Sequence, residues 1–270
     1  MTRSRLLPLL LGLGAITPLV ASAQTAVFSE SYTAGATTLT YANLASVTAH
    51  GAANDATLGD AYQVQAGNLS VLLALFPHSV SLGATTGDYV RLNVTLRTET
   101  TPGGYFRLGL FDNGGTIWSS ANGDDTGYNA DFGTTKAAWY ATGGPAYYLT
   151  TGNPSTNAPG TSLQRALTTT TPVMFQLQVT RTEAGATFTV HRGTTAVGPT
   201  TLVYSLDHAA PVTEFDEFAI FTQNARTYWL DDLSVTTGNV SAVPEPSTYA
   251  ALLGALTLGG VAWRRRTAKA

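Results

Sequence analysis

Tyr89-Val90-Arg91-Leu92-Asn93-Val94-Thr95-Leu96-Arg97 is the stretch that decides the fold. Val90, Leu92, Val94 and Leu96 recur at every second position, and Arg91, Asn93, Thr95 and Arg97 fill the gaps. A period of two puts the apolar set on one face of a pleated strand and the polar set on the other. The pattern returns further along. Phe106, Leu108 and Leu110 alternate with Arg107 and Gly109. Val173, Phe175, Leu177 and Val179 alternate with Met174, Gln176, Gln178 and Thr180. Phe188 and Val190 resume the alternation after Glu183-Ala184-Gly185, which reads as a hairpin. In Trp229 to Val235, Leu233 and Val235 stay in phase. No amphipathic helix of ten or more residues stands out. Short alternating segments with Gly and Pro between them predict an all-β fold, an antiparallel sandwich or barrel.

The chain has 270 residues and no cysteine. Such a length suits one large all-β domain or two small ones. Without cysteine there are no disulfides and no thiol nucleophile, so stability must come from a buried core. Charge is divided unevenly. Six of the 14 Lys+Arg and one of the 17 Asp+Glu lie in the two ends, which leaves 8 against 16 and a net charge of −8 for the middle. That balance excludes the basic patches nucleic acid requires and adhesion to anionic lipid. It suits a neutral sugar or a divalent cation.

Both ends differ from the middle. Residues 1–23 read as a secretory signal peptide. Arg3 and Arg5 make a positive start, Leu6 to Val20 an apolar run, and Ala21 and Ala23 place small side chains before a cleavage point at Gln24. Residues 24–238 then form the exported domain, and 239–248 are a linker of small residues and proline. Within that linker stand Val243, Pro244, Glu245 and Pro246. Two prolines in three residues bar a helix and hold the segment extended. Tyr249 to Trp263 follow without a charge, and residues 264–270 open with Arg264-Arg265-Arg266. As a membrane helix the 15 apolar residues measure about 22 Å, short of the ~30 Å hydrocarbon core. The span would have to take in Ser247 and Thr248 and let Arg264 snorkel. The arginine cluster stays cytoplasmic by the positive-inside rule.

A Pro-Glu-Pro, a short apolar helix and an arginine cluster, in that order, resemble the PEP-CTERM sorting signal of Gram-negative bacteria over residues 243–266. The resemblance implies a membrane-embedded exosortase as partner, processing near Pro244-Glu245-Pro246, and delivery to the cell surface or extracellular matrix. Before processing, the tail would anchor the protein in the inner membrane.

The domain between the ends has a cadence of its own. Gly87-Asp88-Tyr89 opens a strand, Phe106 to Asp112 and Asp125 to Tyr128 follow, and Trp229-Leu230-Asp231-Asp232-Leu233-Ser234-Val235 closes. This looks like the jelly-roll sandwiches of the concanavalin/laminin-G-like kind. The resemblance implies an antiparallel jelly-roll β-sandwich and, by analogy of fold alone, a carbohydrate theme.

Catalysis finds little support. Retaining glucanases of that fold carry carboxylates at alternate positions on one strand, and the nearest string here is Glu214-Phe215-Asp216-Glu217-Phe218-Ala219. By simple alternation Glu214 and Asp216 share a face, Glu217 takes the opposite one, and the third carboxylate is missing. The string reads as a solvated strand start. The four histidines are scattered, and there is no G-x-S-x-G elbow and no phosphate loop.

Two kinds of binding site remain. Calcium takes oxygens from carboxylates, amides and carbonyls. Asp112, Asp124 and Asp125 offer them from turns, and Asp231 and Asp232 could meet Glu30 if the first and last strands pair. The same Asp and Asn side chains also make turns unaided, so both readings stand. For sugar, aromatic rings stack on pyranose faces while nearby polar groups fix orientation. The loop-rich 113–162 segment offers Trp118, Trp139 and Tyr147, with Asn122 and Asp124 as polar partners. The expectation is a non-enzymatic matrix protein whose sandwich is adhesive or binds extracellular polysaccharide. A polysaccharide-acting enzyme and a ligand-free structural protein are the alternatives.

Overall fold

The computed structural model describes residues 24–32, 37, 39–99, 106–114, 126–132, 138–142, 171–222 and 226–240. The signal peptide, the Pro-Glu-Pro motif, the apolar segment and the arginine cluster lie outside them.

Every regular element among these residues is a strand: β1 (Gln24–Glu30), β2 (Thr40–Asp55), β3 (Gly59–Ser81), β4 (Asp88–Thr98), β5 (Phe106–Asp112), β6 (Thr126–Asp131), β7 (Ala138–Thr142), β8 (Val173–Thr182), β9 (Gly185–Thr194), β10 (Gly198–His208), β11 (Glu214–Thr222) and β12 (Arg226–Asn239). The all-β reading of the sequence therefore holds. The decisive stretch is β4, and its four aliphatic side chains all point into the core. The Glu183-Ala184 hairpin is also present, with Thr182 facing Gly185 across it. The β2–β3 turn is made by Asp55, whose Oδ1 accepts the N–H groups of Thr57 and Leu58, each at 2.9 Å.

Hydrogen bonding runs β10-β9-β8-β4-β12-β3-β11-β5-β6-β7, with β1 added on β12 and β2 on β3, and every pairing is antiparallel. Two long strands carry the turn in this ribbon. Along β12, Arg226–Leu230 pairs with β3 and Leu233–Gly238 with β1, while β4 follows the other edge. The change of partner falls at Asp231-Asp232, where the register slips and Asp232 takes a left-handed φ of 51°. Along β3, residues up to Ala66 pair with β12 and residues from Ser70 onward with β11. The ribbon folds over at these changes, so β6 lies against β8, β9 and β10. Tyr128 stacks on Phe188 at 5.1 Å between ring centroids, and Phe132 meets Phe175 at 5.0 Å and Tyr204 at 5.6 Å. The Tyr204 hydroxyl donates to the Asp131 carbonyl at 2.6 Å, tying the two layers together.

Between the layers sits one apolar core that includes Val90, Leu92, Leu108, Leu110, Phe175, Leu177, Phe188, Phe215, Phe218 and Leu233. Each such side chain contributes about 1.5–3 kcal/mol on burial. The described strands all belong to one compact unit, Ala23–Ser241. β5, β6 and β11 are buried on both faces. On the face away from the core, Arg107 pairs with Asp131 at 3.1 Å, and the Phe111 ring lies over Gly109 and Gly127, where any β-carbon would collide with it.

Candidate functional site

The end of β5 begins the site. Asp112 Oδ1 accepts the Gly114 N–H at 3.1 Å, and Gly114 takes φ 70°, so the chain turns sharply there. Between them Asn113 points inward and is 5% exposed. Its backbone N–H donates to Asp216 Oδ1 at 2.9 Å and its side-chain Nδ2 to Glu217 Oε2 at 2.5 Å. One asparagine thus joins two carboxylates of β11.

Those carboxylates are where the structure corrects the sequence reading. The string at Glu214 is not a solvated strand start: Asp216 is 5% exposed and Glu217 is 0% exposed. Nor does simple alternation hold. β11 slips against β3 between Phe215 and Glu217, with Phe76, Pro77, His78 and Ser79 of β3 bypassed. Pro77 has no N–H to give to a ladder, which favours the break there. Phe215 and Phe218, three apart, both enter the core. A bulge of this kind turns both intervening residues, Asp216 and Glu217, away from it.

The bypassed β3 residues and the β5 turn enclose a cleft of about 370 Å³ lined by Leu75, Phe76, Pro77, His78, Ser79, Asp112, Gly114, Glu214 and Asp216. Within this lining, Ser79 Oγ donates to Glu214 Oε2 at 2.9 Å. The cleft therefore offers three carboxylates beside an apolar wall of Leu75, Phe76 and Pro77. Carboxylate oxygens accept hydrogen bonds from hydroxyl groups, and the apolar wall suits the C–H face of a sugar ring.

Of the predicted sugar platform, only the backbone of Trp139 is among the described residues. Asp112 and Thr126 face each other in the β5–β6 pairing, so residues 115–125 connect two strands that end beside the cleft. Trp118, Asn122, Asp124 and Asp125 belong to that connection, and Tyr147 follows β7; all five lie outside the described residues. The backbone of Trp139 is in β7, opposite Asn129 of β6. The Asn113 bridge was not read from the sequence; the Asp-Asn-Gly turn was visible, but its partners lie more than a hundred residues away.

The other expected calcium site is the β1–β12 corner. These strands do pair, with Glu30 opposite Leu233. The Glu30 carboxylate accepts the Tyr32 N–H and the Thr37 hydroxyl, each at 3.2 Å, and Asp231 Oδ1 accepts the Asp232 N–H at 2.8 Å. Among the described residues no three His, Asp or Glu side chains come together as a metal ion requires. The corner holds a tyrosine cluster instead. Tyr41 stacks on Tyr62 at 4.1 Å, the Tyr32 and Tyr41 hydroxyls hydrogen-bond to each other, and Tyr62 OH meets His50 Nδ1 at 2.6 Å. Burial pushes the Tyr62 phenol up to about 12, so it stays protonated. Burial, then the neighbouring Asp232 carboxylate, pushes Asp231 up to about 6. Trp229 is buried, 6% exposed, and lies beneath the Arg97 guanidinium at 4.8 Å.

The sorting signal is found by comparison. Residues 242–266 match the PEP-CTERM protein-sorting motif, so the chain carries that signal. No curated protein matches the sequence. Solved structures similar in fold include two carbohydrate-recognising domains. One is a lectin from Bauhinia forficata in complex with GalNAc, 9% identical, covering 82% of this chain and 100% of that chain at a TM-score of 0.46. Another is the metal-free Emp46p carbohydrate recognition domain, 8% identical, covering 72% and 87% at 0.46. The cellulose-induced protein Cip1 is 11% identical, covering 77% and 96% at 0.46. Likeness at this level says nothing of a ligand for this chain. No helix among the described residues is long and apolar enough to cross a membrane.

Proposed function

We propose that this is an exported envelope or matrix protein, held by its C-terminal segment and processed by an exosortase, whose jelly-roll sandwich binds carbohydrate without catalysis. The domain limits are those read from the sequence: 1–23, 24–238, 239–248, 249–263 and 264–270. The sorting motif at residues 242–266 carries the address. Fractionation of cells expressing the full chain, with residues 243–270 present or deleted, tests it. Loss of envelope retention and of the processing step on deletion is expected; unchanged location and mass would overturn it.

Supporting the sugar reading is the cleft, where Asp112, Glu214 and Asp216 face an apolar wall at the base of the connection that bears Trp118, Asn122 and Asp124. Calcium held by Asp112, Asp124 and Asp125 would stabilise the folded domain, and a calcium-dependent rise in melting temperature would report it. Glycan-array binding by the full chain is expected to fall when Trp118→Ala and Trp139→Ala are combined. Binding that survives both moves the site elsewhere. Glu214 and Asp216, which both line the cleft, favour, as second reading, hydrolysis by paired carboxylates. Release of reducing ends from polysaccharide, abolished by Asp216→Asn, would establish it.

A further inference from the structure

A second polar patch lies on the outer face of β4, β8 and β9, away from the cleft. Arg91 stands beside Gln178 and Gln178 beside Thr189; in the next row Asn93, Gln176 and His191 stand abreast. All six side chains are half-buried. Arg91 Nε donates to Gln178 Oε1 at 2.7 Å, Gln178 Nε2 to Thr180 Oγ1 at 2.7 Å, and Gln176 Nε2 to Asn93 Oδ1 at 3.1 Å. The Arg91 guanidinium also lies over the Tyr89 ring, 4.6 Å from its centroid.

These contacts hold the guanidinium in place yet engage only its Nε. Among the described residues its charge meets no carboxylate, the ion pairs there being Arg97–Asp55 and Arg107–Asp131. The outward positions of β4, β8 and β9 hold no Asp or Glu, although the middle of the chain carries twice as many acids as bases. A half-buried cation without a counter-charge is costly. Beside it, His191 Nδ1 is buried without a hydrogen-bond partner. Burial, and then Arg91, lowers the His191 pKa, so the imidazole is neutral and adds a hydrogen-bonding atom rather than a second cation.

We propose that this patch binds the carboxylate of an acidic polysaccharide, with the free fork of Arg91 taking both oxygens of a uronate unit. A planar fork matches a carboxylate bidentately. Asn93, Gln176 and His191 then stand where the ring hydroxyls fall. The charge argues against a second copy of the same face, which would set Arg91 against Arg91. The site shares with the cleft only the class of polymer, and either can fail while the other stands.

Affinity electrophoresis of the detergent-solubilised full chain tests the patch, in gels containing polygalacturonate with dextran gels in parallel. Retardation in polygalacturonate alone is expected, weakened about tenfold or more by Arg91→Gln and restored little by Arg91→Lys, which lacks the fork. Arg192→Gln, on β9 but outside the patch, leaves it unchanged. Melting temperatures verify that each variant is folded. Equal retardation of Arg91→Gln, equal loss in Arg192→Gln, or equal retardation in dextran would overturn the proposal. So would a change of oligomeric mass on Arg91→Gln, which would make the patch a contact between copies.

Discussion

Asp231 is an acid whose fold works against its charge. It is 9% exposed, beside Asp232 and within reach of Asp60, and its pKa rises to about 6 from an ordinary value of 3.8. A folded-state pKa above the unfolded one means the native state holds the proton longer. Stability therefore falls as pH rises through that window and is level again above it. Asp231→Asn removes the penalty without emptying the site. Thermal melts from pH 3.5 to 8 are expected to coincide for the two proteins at the acid end, with the variant higher by a few degrees at neutral pH. A melting temperature at pH 7.5 no higher than that of the parent would show that the corner tolerates the charged form.

The β9–β10 hairpin shows how one element uses two glycines for different reasons. Thr194 faces Gly198 across a loop of Thr195, Ala196 and Val197, and the Val197 N–H donates to the Thr194 carbonyl at 3.2 Å. Gly198 takes φ 78° with open space where a β-carbon would sit. Gly193 has an ordinary φ, but a β-carbon there would sit 1.6 Å from the Gly198 carbonyl oxygen. Urea denaturation should separate the two. Gly198→Ala is expected to cost about 1 kcal/mol, the left-handed strain alone, and Gly193→Ala about 3 kcal/mol, because backbone must move. Equal costs would mean that the strands part easily at this end. The hairpin also marks a limit of legibility. The turn at Gly198 was not read from the sequence, and the need for Gly193 arises only once β10 is laid against β9.

At the scale of the molecule, the last of the described strands is a central one. β12 pairs with β1, β3 and β4, and Gln24 faces Gly238 from the other end of the domain. Pairings so distant in sequence are slow to form and must wait for the C-terminal part of the chain. Truncation before Arg226 is accordingly expected to abolish the β-sheet circular dichroism signal and the cooperative melt, whereas deletion of residues 243–270 leaves the melting temperature unchanged. A cooperative melt in the shorter truncation would mean β12 is dispensable. Strands such as β4, β5, β8 and β9 were legible because alternation is local: whether Val90 and Leu92 share a face depends only on the pleat, whereas the long β2 and β3 gave no such signal. The sorting signal was legible too, a linear code of proline, apolar length and arginine. The bulges at Asp216-Glu217 and Asp231-Asp232, the second buried face of β5, β6 and β11, the Asn113 bridge and the isolation of Arg91 were not. Each depends on which strands become neighbours, and long-range pairing, not the period of any one segment, decides what a polar side chain meets.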